Sequence, residues 1–204
     1  MCIRDRIQVG VAVLKSTSAN PAPDPLVIIQ GGPGGSAIEL IPSFAPLLAK
    51  AGLRDRDVIF FDQRGTRFAE PFLFCEELYT FKVQHAKDPD SENLRAAYRQ
   101  ETRRCYDRFS NQGIDLSAYN SLDNAADLPV ALTALGYRGP YNLYGVSYGS
   151  AFAQHLMRDH PDQLRSVVLD AVVPLDVSFV EQIPQNADRA LKRFFAHCPV
   201  SYTH

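Results

Sequence analysis

A short apolar run that ends in Gly-x-Ser-x-Gly constrains the fold more than any other stretch of the chain. It occupies residues 141–150, and Gly145 and Gly149 lie two positions before and after Ser147. A serine in such a strand-to-helix turn takes strained dihedral angles that hold its hydroxyl above the edge of a sheet. The two glycines leave room where a Cβ would press on the turn or on a neighbouring strand. The pattern therefore predicts a sharp turn that presents the Ser147 hydroxyl.

The residues after Ser147 predict a helix that begins at the turn. Its unpaired N–H groups and the positive end of its dipole would face negative charge that forms on a substrate bound at Ser147. A serine nucleophile beside such donors indicates acyl transfer. The three fixed letters arise by chance in roughly one chain of this length in fifteen. On the motif alone, a serine in an ordinary β–α turn is an open alternative.

Composition excludes several other classes of protein. The 204 residues are 46% hydrophobic and 22% charged, which is typical of a globular chain with one sizeable core. The 21 basic and 23 acidic side chains nearly cancel, so no nucleic-acid partner is expected. No apolar stretch approaches the roughly 20 residues that a membrane span needs. Small or peptide-like partners fit this balance better.

A glycine-rich loop follows a predicted buried strand. The apolar run at 26–29 leads into Gln-Gly-Gly-Pro-Gly-Gly-Ser at 30–36, and a helical pattern at 38–50 follows. Each glycine costs backbone entropy on ordering, which indicates a main chain that approaches a ligand closely. An oxyanion-hole loop is expected at this place. A flexible turn is one alternative. A phosphate-binding loop is another, although it would lack its Lys-Ser/Thr ending and Pro33 removes one donor.

Strands and helices alternate along the rest of the chain. Strands are predicted at 7–14, 57–62 and 166–170, and helices at 91–109, 121–135 and 148–160. Pro129 lies inside the second of these helices, which therefore either starts near Asp127 or is kinked. The polar section 70–120 is expected to be a helical excursion at the edge of the sheet. Buried strands separated by helices predict the α/β fold class with a doubly wound, mostly parallel sheet.

Three motifs, taken together, carry a family resemblance. They are the glycine-rich loop at 30–36, Asp-Gln-Arg-Gly-Thr at 62–66 and Gly-Val-Ser-Tyr-Gly-Ser at 145–150. As a set they resemble the proline iminopeptidase and tripeptidyl aminopeptidase family of α/β-hydrolases, and the resemblance covers roughly residues 7–198. Gln30, where the other branch has His, is more similar to the tripeptidyl aminopeptidase branch, which is largely exported.

The resemblance implies a serine peptidase that cleaves at free N-termini through an acyl-enzyme. Position by position, Ser147 matches the nucleophile and the N–H of Tyr148 matches one oxyanion donor, while Gly32 is expected to supply the second. The acid and base of the family follow a helical cap inserted behind the strand that ends at Asp170, so they are expected beyond the end of this chain. A carboxylesterase and a non-catalytic scaffold remain alternatives, because the cap that sets specificity is largely missing.

Other titratable residues are expected to be structural. His155 and His160 lie on the predicted helix that follows the Ser147 turn, and Asp170 matches a family position that is not the catalytic acid. Asp62 and Arg64 are expected to fix their turn as a pair.

The cysteines and one departure from the family pattern complete the expectations. The resemblance implies a disulfide between Cys75 and Cys105, and two free thiols are the alternative. No cofactor and no metal site are expected, since the isolated pair His197-Cys198 alone has ligand spacing. Arg67 stands where the family usually has glycine, which implies local strain if that position has a positive φ.

The expected organisation is an α/β-hydrolase core at 7–175 and the start of a helical cap at 176–199. The ends, 1–6 and 200–204, resemble translated adapter sequence and are interpreted as non-native. The resemblance points to export with a signal peptide that is not in this chain, and a cytoplasmic location is the alternative. A peptide or small ester substrate is expected, little turnover by these 204 residues is predicted, and the oligomeric state is left open.

Overall fold

A computed structural model describes residues 6–87 and 92–197 of the chain. Within these ranges a five-stranded sheet has helices on both faces. The strands are β1 (Val11–Leu14), β2 (Leu26–Ile29), β3 (Val58–Phe61), β4 (Tyr141–Val146) and β5 (Leu164–Asp170), and the helices are α1 (Ile41–Lys50), α2 (Glu76–Gln84), α3 (Glu92–Asn111), α4 (Ser121–Ala134), α5 (Tyr148–Asp159) and α6 (Phe179–His197).

The strand order places the glycine-rich loop beside the serine turn. The sheet runs β1-β3-β2-β4-β5, so β2 and β4 are neighbours. The last four strands in this order are parallel, and β1 pairs with β3 antiparallel. Because parallel strands end at the same edge, the loops after β2, β3 and β4 meet there. The predicted α/β class with a doubly wound, mostly parallel sheet is confirmed.

Both faces of the sheet are covered, which explains the continuous apolar runs of the central strands. On one face Val27 and Ile29 of β2 lie in a cluster with residues of α4 and α5, among them Leu128 and Phe152. On the other face Ile28 packs in a second cluster toward α1. All four residues of β3 are buried. The centre of the sheet is therefore rigidly packed at the strands that carry the site loops.

A buried carboxylate ties the strands together at the edge opposite the serine turn. Asp24, which precedes β2, is 1% exposed. It accepts hydrogen bonds from Asn142 Nδ2 and Arg56 Nη1, both at 2.6 Å, and forms an ion pair with Arg165 at 3.0 Å. The hydrogen bond from Asn142, aided by the two arginines, lowers the pKa of the Asp24 carboxyl. Asp24 thus links residues in or just before four strands, β2, β3, β4 and β5.

Helix α4 begins earlier than one of the two sequence alternatives allowed. It starts at Ser121 and contains Pro129, so a start near Asp127 is wrong. The side chain of Asn120 caps the helix, since its Oδ1 accepts from the N–H groups of Leu122 and Asp123 at 3.0 Å each. The cap satisfies first-turn donors and fixes where the helix begins.

The excursion contains α2 and α3, which pack against each other. A disulfide joins Cys75, just before α2, to Cys105 in α3. Arg108 Nε also donates to Glu77 Oε1 at 2.6 Å across the two helices. Its Nη2 donates to the carbonyl of Phe74 at 2.9 Å. The two helices of the excursion are thus joined by a disulfide and by the ion pair and hydrogen bond of Arg108.

Helix α6 differs from the other helices because it has no cover. Every side chain described from 181 to 197 is exposed, including Leu191, Phe194 and Phe195. None of the helices in the described ranges has the length and apolar character to cross a membrane. Cys198 and the suspect ends at 1–5 and 200–204 lie outside the described residues.

Candidate active site

Ser147 lies in a sharp turn between β4 and α5. Its backbone has φ 57° and ψ −122°, a conformation that L-residues rarely adopt. The turn is held from both sides: Ser147 N donates to the carbonyl of Asp170 at 2.9 Å, and Ser150 N donates to the carbonyl of Ser147 at 2.9 Å. Ser150 Oγ donates to the same carbonyl at 2.6 Å. These bonds fix the strained conformation and leave the Ser147 side chain partly exposed.

The two glycines around Ser147 are required by close backbone contacts. A Cβ on Gly145 would run into the main-chain oxygen of Gly149. A Cβ on Gly149 would run into the main-chain oxygen of Ile29 at the end of β2. The steric reason predicted for the motif therefore holds in the structure, and it links the turn directly to the neighbouring strand.

The glycine-rich loop lies against Ser147. A Cβ built on Gly31 would lie 2.7 Å from Ser147 Cβ and 3.0 Å from Ser147 Oγ. Gly32 has φ 121°, and a Cβ there would lie 2.9 Å from the nitrogens of Gly34 and Gly35. The loop thus needs glycine for its approach to the serine at one position and for its own conformation at the next.

Two main-chain N–H groups beside the serine are left without an acceptor. In the loop, Gly31 N donates to Gln30 Oε1 at 3.0 Å, and Gly35 N donates to the carbonyl of Gly31 at 3.1 Å. Within the described residues no hydrogen bond involves the N–H of Gly32 or that of Tyr148, the first residue of α5. Unpaired donors at a helix start and a glycine loop can receive an anion.

The side chain of Tyr148 is held away from its own helix. Its hydroxyl shares a hydrogen bond of 2.7 Å with Ser121 Oγ at the start of α4. This contact fixes the residue whose N–H is free.

Asp62 and Arg64 do not fix their turn as a pair, so that expectation is wrong. Asp62 is fully buried and accepts from Ser36 Oγ at 3.0 Å and from Ile38 N at 3.1 Å. Arg64 instead forms a two-pronged ion pair with Asp127 of α4, at 2.8 and 2.7 Å. One residue holds the end of the glycine-rich loop and the other holds α4, because the turn lies between the two elements.

Arg67 carries no backbone strain. Among the described residues other than glycine, a positive φ occurs at Ser147 and Ala171 alone. Arg67 forms an exposed ion pair with Glu39 at 2.9 Å. The turn therefore accommodates this departure from the family pattern without a left-handed residue at this position.

Three of the described histidines, His85, His155 and His197, bond other groups, and His160 directly follows α5, at the end of the helix far from Ser147. His155 Nδ1 lies 3.2 Å from Arg158 Nη2, and burial followed by the Arg158 charge lowers the pKa of His155. His85 and His197 bond main-chain oxygens of their own helices. Nothing in the described part of the chain hydrogen-bonds Ser147 Oγ.

Asp170, at the end of β5, faces Tyr144. The Tyr144 hydroxyl donates to the Asp170 carboxylate, and this bond is the main reason why the pKa of Tyr144 rises to about 12. The carbonyl of Asp170 accepts from Ser147 N. In this structure, the carboxylate of Asp170 thus supports β4 and its main-chain carbonyl supports the turn.

The comparison with protein families agrees with this geometry. A family model described as alpha/beta hydrolase fold matches residues 24–196. The chain belongs to the α/β-hydrolase family. An alpha/beta hydrolase fold protein from Chitinophaga pinensis has a TM-score of 0.52 at 19% identity, over 91% of this chain and 48% of that one. At that identity the likeness bears on the fold.

Curated relatives of this α/β-hydrolase carry different activities. Serine protease Hip1 of Mycobacterium tuberculosis is 27% identical over 76% of this chain and 31% of its own length. Tripeptidyl aminopeptidase of Streptomyces coelicolor is 29% identical over 72% of this chain and 28% of its length. Carboxylesterase B of M. tuberculosis is 29% identical over 50% of this chain and 21% of its own length. The matched part of the chain thus covers less than a third of the length of each of these three curated relatives.

Sequence reasoning missed the partners that hold the site together. Gln63 donates from Nε2 to the carbonyl of Gln30 at 3.0 Å, and Ser150 Oγ accepts from Val173 N at 2.8 Å. Both residues lie inside motifs that the sequence singled out. Their places at the sheet edge were readable, whereas the atoms they contact depend on how separate loops meet.

Proposed function

We propose that this α/β-hydrolase cleaves peptide bonds at free N-termini through an acyl-enzyme on Ser147. The observation that carries the proposal is the contact of the glycine-rich loop with the strained serine, which brings a nucleophile and two free N–H donors together. The names of Hip1 and the tripeptidyl aminopeptidase support peptide bonds as the target.

In the proposed reaction Ser147 Oγ attacks the carbonyl carbon of the scissile bond and gives its proton to a histidine base. The carbonyl oxygen becomes an oxyanion that accepts from the N–H groups of Gly32 and Tyr148. The tetrahedral intermediate then expels the amine, which takes the proton from the histidine, and an ester remains on Ser147. Water, deprotonated by the same base, hydrolyses the ester and restores the serine.

The acid and the base of this reaction are proposed to come from residues beyond 204. The described histidines are bonded to other groups or lie at the far end of α5. We call the chain continued to the length of its curated relatives the extended protein. The 204 residues alone should show little turnover, since a serine without its base loses most of its rate.

A carboxylesterase is the second candidate, because carboxylesterase B is among the relatives and the same serine and donors serve ester substrates. A peptide anilide with a free N-terminus and a p-nitrophenyl ester, tested side by side on the extended protein, separate the two. Turnover of the ester without detectable turnover of the anilide would overturn the peptidase proposal and leave the nucleophile assignment intact.

The nucleophile is tested by labelling the extended protein with a fluorophosphonate probe. Ser147→Ala should abolish labelling and lower kcat roughly 10⁶-fold. Ser43→Ala is the matched control, since Ser43 is an exposed serine that bonds the carbonyl of Leu40 in its own helix. Absence of labelling in the unchanged protein would favour a non-catalytic scaffold instead.

We also propose that the protein is exported, because of the disulfide in the excursion. The disulfide between Cys75 and Cys105 suits an oxidising compartment, since such bonds are rare in the cytosol. A reporter fusion to the extended protein, located by cell fractionation, tests this proposal.

A further inference from the structure

A buried glutamine on the turn after β3 holds the loop that carries Gly32. We propose that Gln63 is a positioning residue for the oxyanion site, because its side-chain amide fixes the carbonyl of Gln30. This carbonyl belongs to the Gln30–Gly31 peptide unit, which directly precedes the unit that carries the Gly32 N–H, so the bond anchors the main chain from which that N–H projects. The inference rests on the proposed function, since an oxyanion site has a meaning only if Ser147 performs acyl transfer.

The geometry of Gln63 suits a fixed support. Its residue is 2% exposed, and its Nε2 donates to the main-chain oxygen of Gln30 at 3.0 Å. A glutamine can donate to a carbonyl through its nitrogen alone, so the bond also fixes the orientation of the amide. The main chain of Gln63 is held in turn, because Thr66 N and Thr66 Oγ1 both donate to its carbonyl at 3.1 and 2.7 Å. The side chain therefore bridges a rigid turn and the loop.

The contact acts at the residue where β2 becomes the loop. Gln30 directly follows Ile29, the last residue of β2. Its own Oε1 accepts from Gly31 N at 3.0 Å, so this N–H is turned toward Gln30 rather than toward a ligand. The α-carbon of Gly31 faces Ser147, as the 2.7 Å separation of a built Cβ shows. The next N–H in the loop, that of Gly32, makes no hydrogen bond within the described residues and is available to an oxyanion.

The Gly32 N–H can stabilise an oxyanion fully only if it is already held in the right position. An oxyanion donor acts through its fixed geometry, and a group that must first move into place loses much of its effect on the transition state. Without Gln63 the Gln30 carbonyl would lose a buried partner and the loop would lose its link to β3. Contacts that bind the ground state and the transition state equally well would not be altered, so KM should change little. The effect should therefore fall on kcat.

The test compares the same substitution at two glutamines of the extended protein. Gln63→Met keeps the length of the side chain and removes the donor. Gln163→Met is the matched control, because Gln163 also donates from Nε2 to a main-chain carbonyl, that of Arg138 at 3.3 Å, but lies just before β5 at the edge of the sheet opposite the serine turn. With a peptide anilide, Gln63→Met should lower kcat roughly 10- to 100-fold and change KM less than about twofold. Gln163→Met should keep its kcat, and urea unfolding measures how much stability each variant loses.

Gln63→Glu is a second variant in case the first does not fold. It keeps the shape of the side chain, and wherever its carboxyl group is ionised it cannot donate to the Gln30 carbonyl, so kcat should fall relative to the unchanged protein as the pH is raised. Folded Gln63 variants with unchanged kcat would contradict the inference, and so would an equal loss of kcat in Gln163→Met. An unchanged protein that neither reacts with the fluorophosphonate nor turns over substrate would instead contradict the proposed function.

Discussion

The serine turn and the helical excursion are held by opposite means. At the turn, main chain lies directly on main chain: the Gly149 backbone touches Ile29, and Gly31 touches Ser147. In the excursion, a disulfide and the ion pair of Glu77 with Arg108 hold the helices, and many aromatic side chains stay exposed. The first region tolerates no added atom, whereas the second depends on a few separate bonds. The two should therefore respond to different changes.

The largest effect is expected from a methyl group added at the turn. Gly149→Ala places a Cβ against the Ile29 carbonyl, and overpacking of this kind should lower the free energy of unfolding by about 3 kcal/mol. Urea unfolding measures the loss. Gly139→Ala is the matched control, because a Cβ there has open space and it should be neutral or slightly stabilising. A stable Gly149→Ala variant would mean that the turn is looser than described.

The next effect concerns the conformation of the loop. Gly32 and Gly34 both have positive φ, 121° and 98°, but a Cβ collides with neighbouring nitrogens at Gly32 alone. Gly32→Ala should therefore lower kcat of the extended protein roughly 100-fold, as loss of one oxyanion donor does. Gly34→Ala shares the backbone penalty and should keep kcat within a few fold. Equal losses in the two variants would assign the effect to backbone strain.

A smaller effect is expected when the excursion loses its covalent bond. Replacing Cys75 and Cys105 together by serine should lower the local stability of α2 and α3 by about 2 kcal/mol, since the closed loop spans a sequence separation of 30. Hydrogen exchange of the two helices measures the change. Fluorophosphonate labelling of Ser147 should stay as it was. A thiol count of the oxidised protein that finds two reactive cysteines here would contradict the pairing.

The smallest expected effect is a change of stability with pH. The hydrogen bonds from Arg108 lower the pKa of Glu77 to about 2, below its value in the unfolded chain. The stabilisation is therefore complete above about pH 5 and lost as the pH falls toward 2, and for this partly exposed pair it should reach about 1 kcal/mol. Unfolding of Glu77→Gln and of the unchanged protein should converge at low pH. Glu76→Gln, which loses no ion pair among the described residues, is the control.

The strands and the serine turn could be predicted from the sequence because their signals are local. The apolar runs at 26–29 and 57–62 mark strands buried on both faces, and the glycines around Ser147 mark a turn without room for side chains. The start of α4 had a local signal in Asn120, a side chain that caps helices, but the sequence left a later start near Asp127 open because of Pro129.

The contacts between loops could not be predicted in the same way. Arg64 pairs with Asp127 and Gln63 reaches Gln30, over sequence separations of 63 and 33. Such partners are chosen by which loops the strand order brings together, and a single sequence does not state that order. The role of Gln63 therefore became visible only when β2 and β3 were placed side by side.

The bare surface of α6 has a practical consequence. Ile183, Leu191, Phe194 and Phe195 are between 46% and 68% exposed on one helix. Contiguous apolar surface of this kind promotes association between molecules in concentrated samples. A purified preparation of this chain is therefore expected to bind hydrophobic dyes and to self-associate as its concentration rises, so protein concentration becomes a variable to control in any study of the serine.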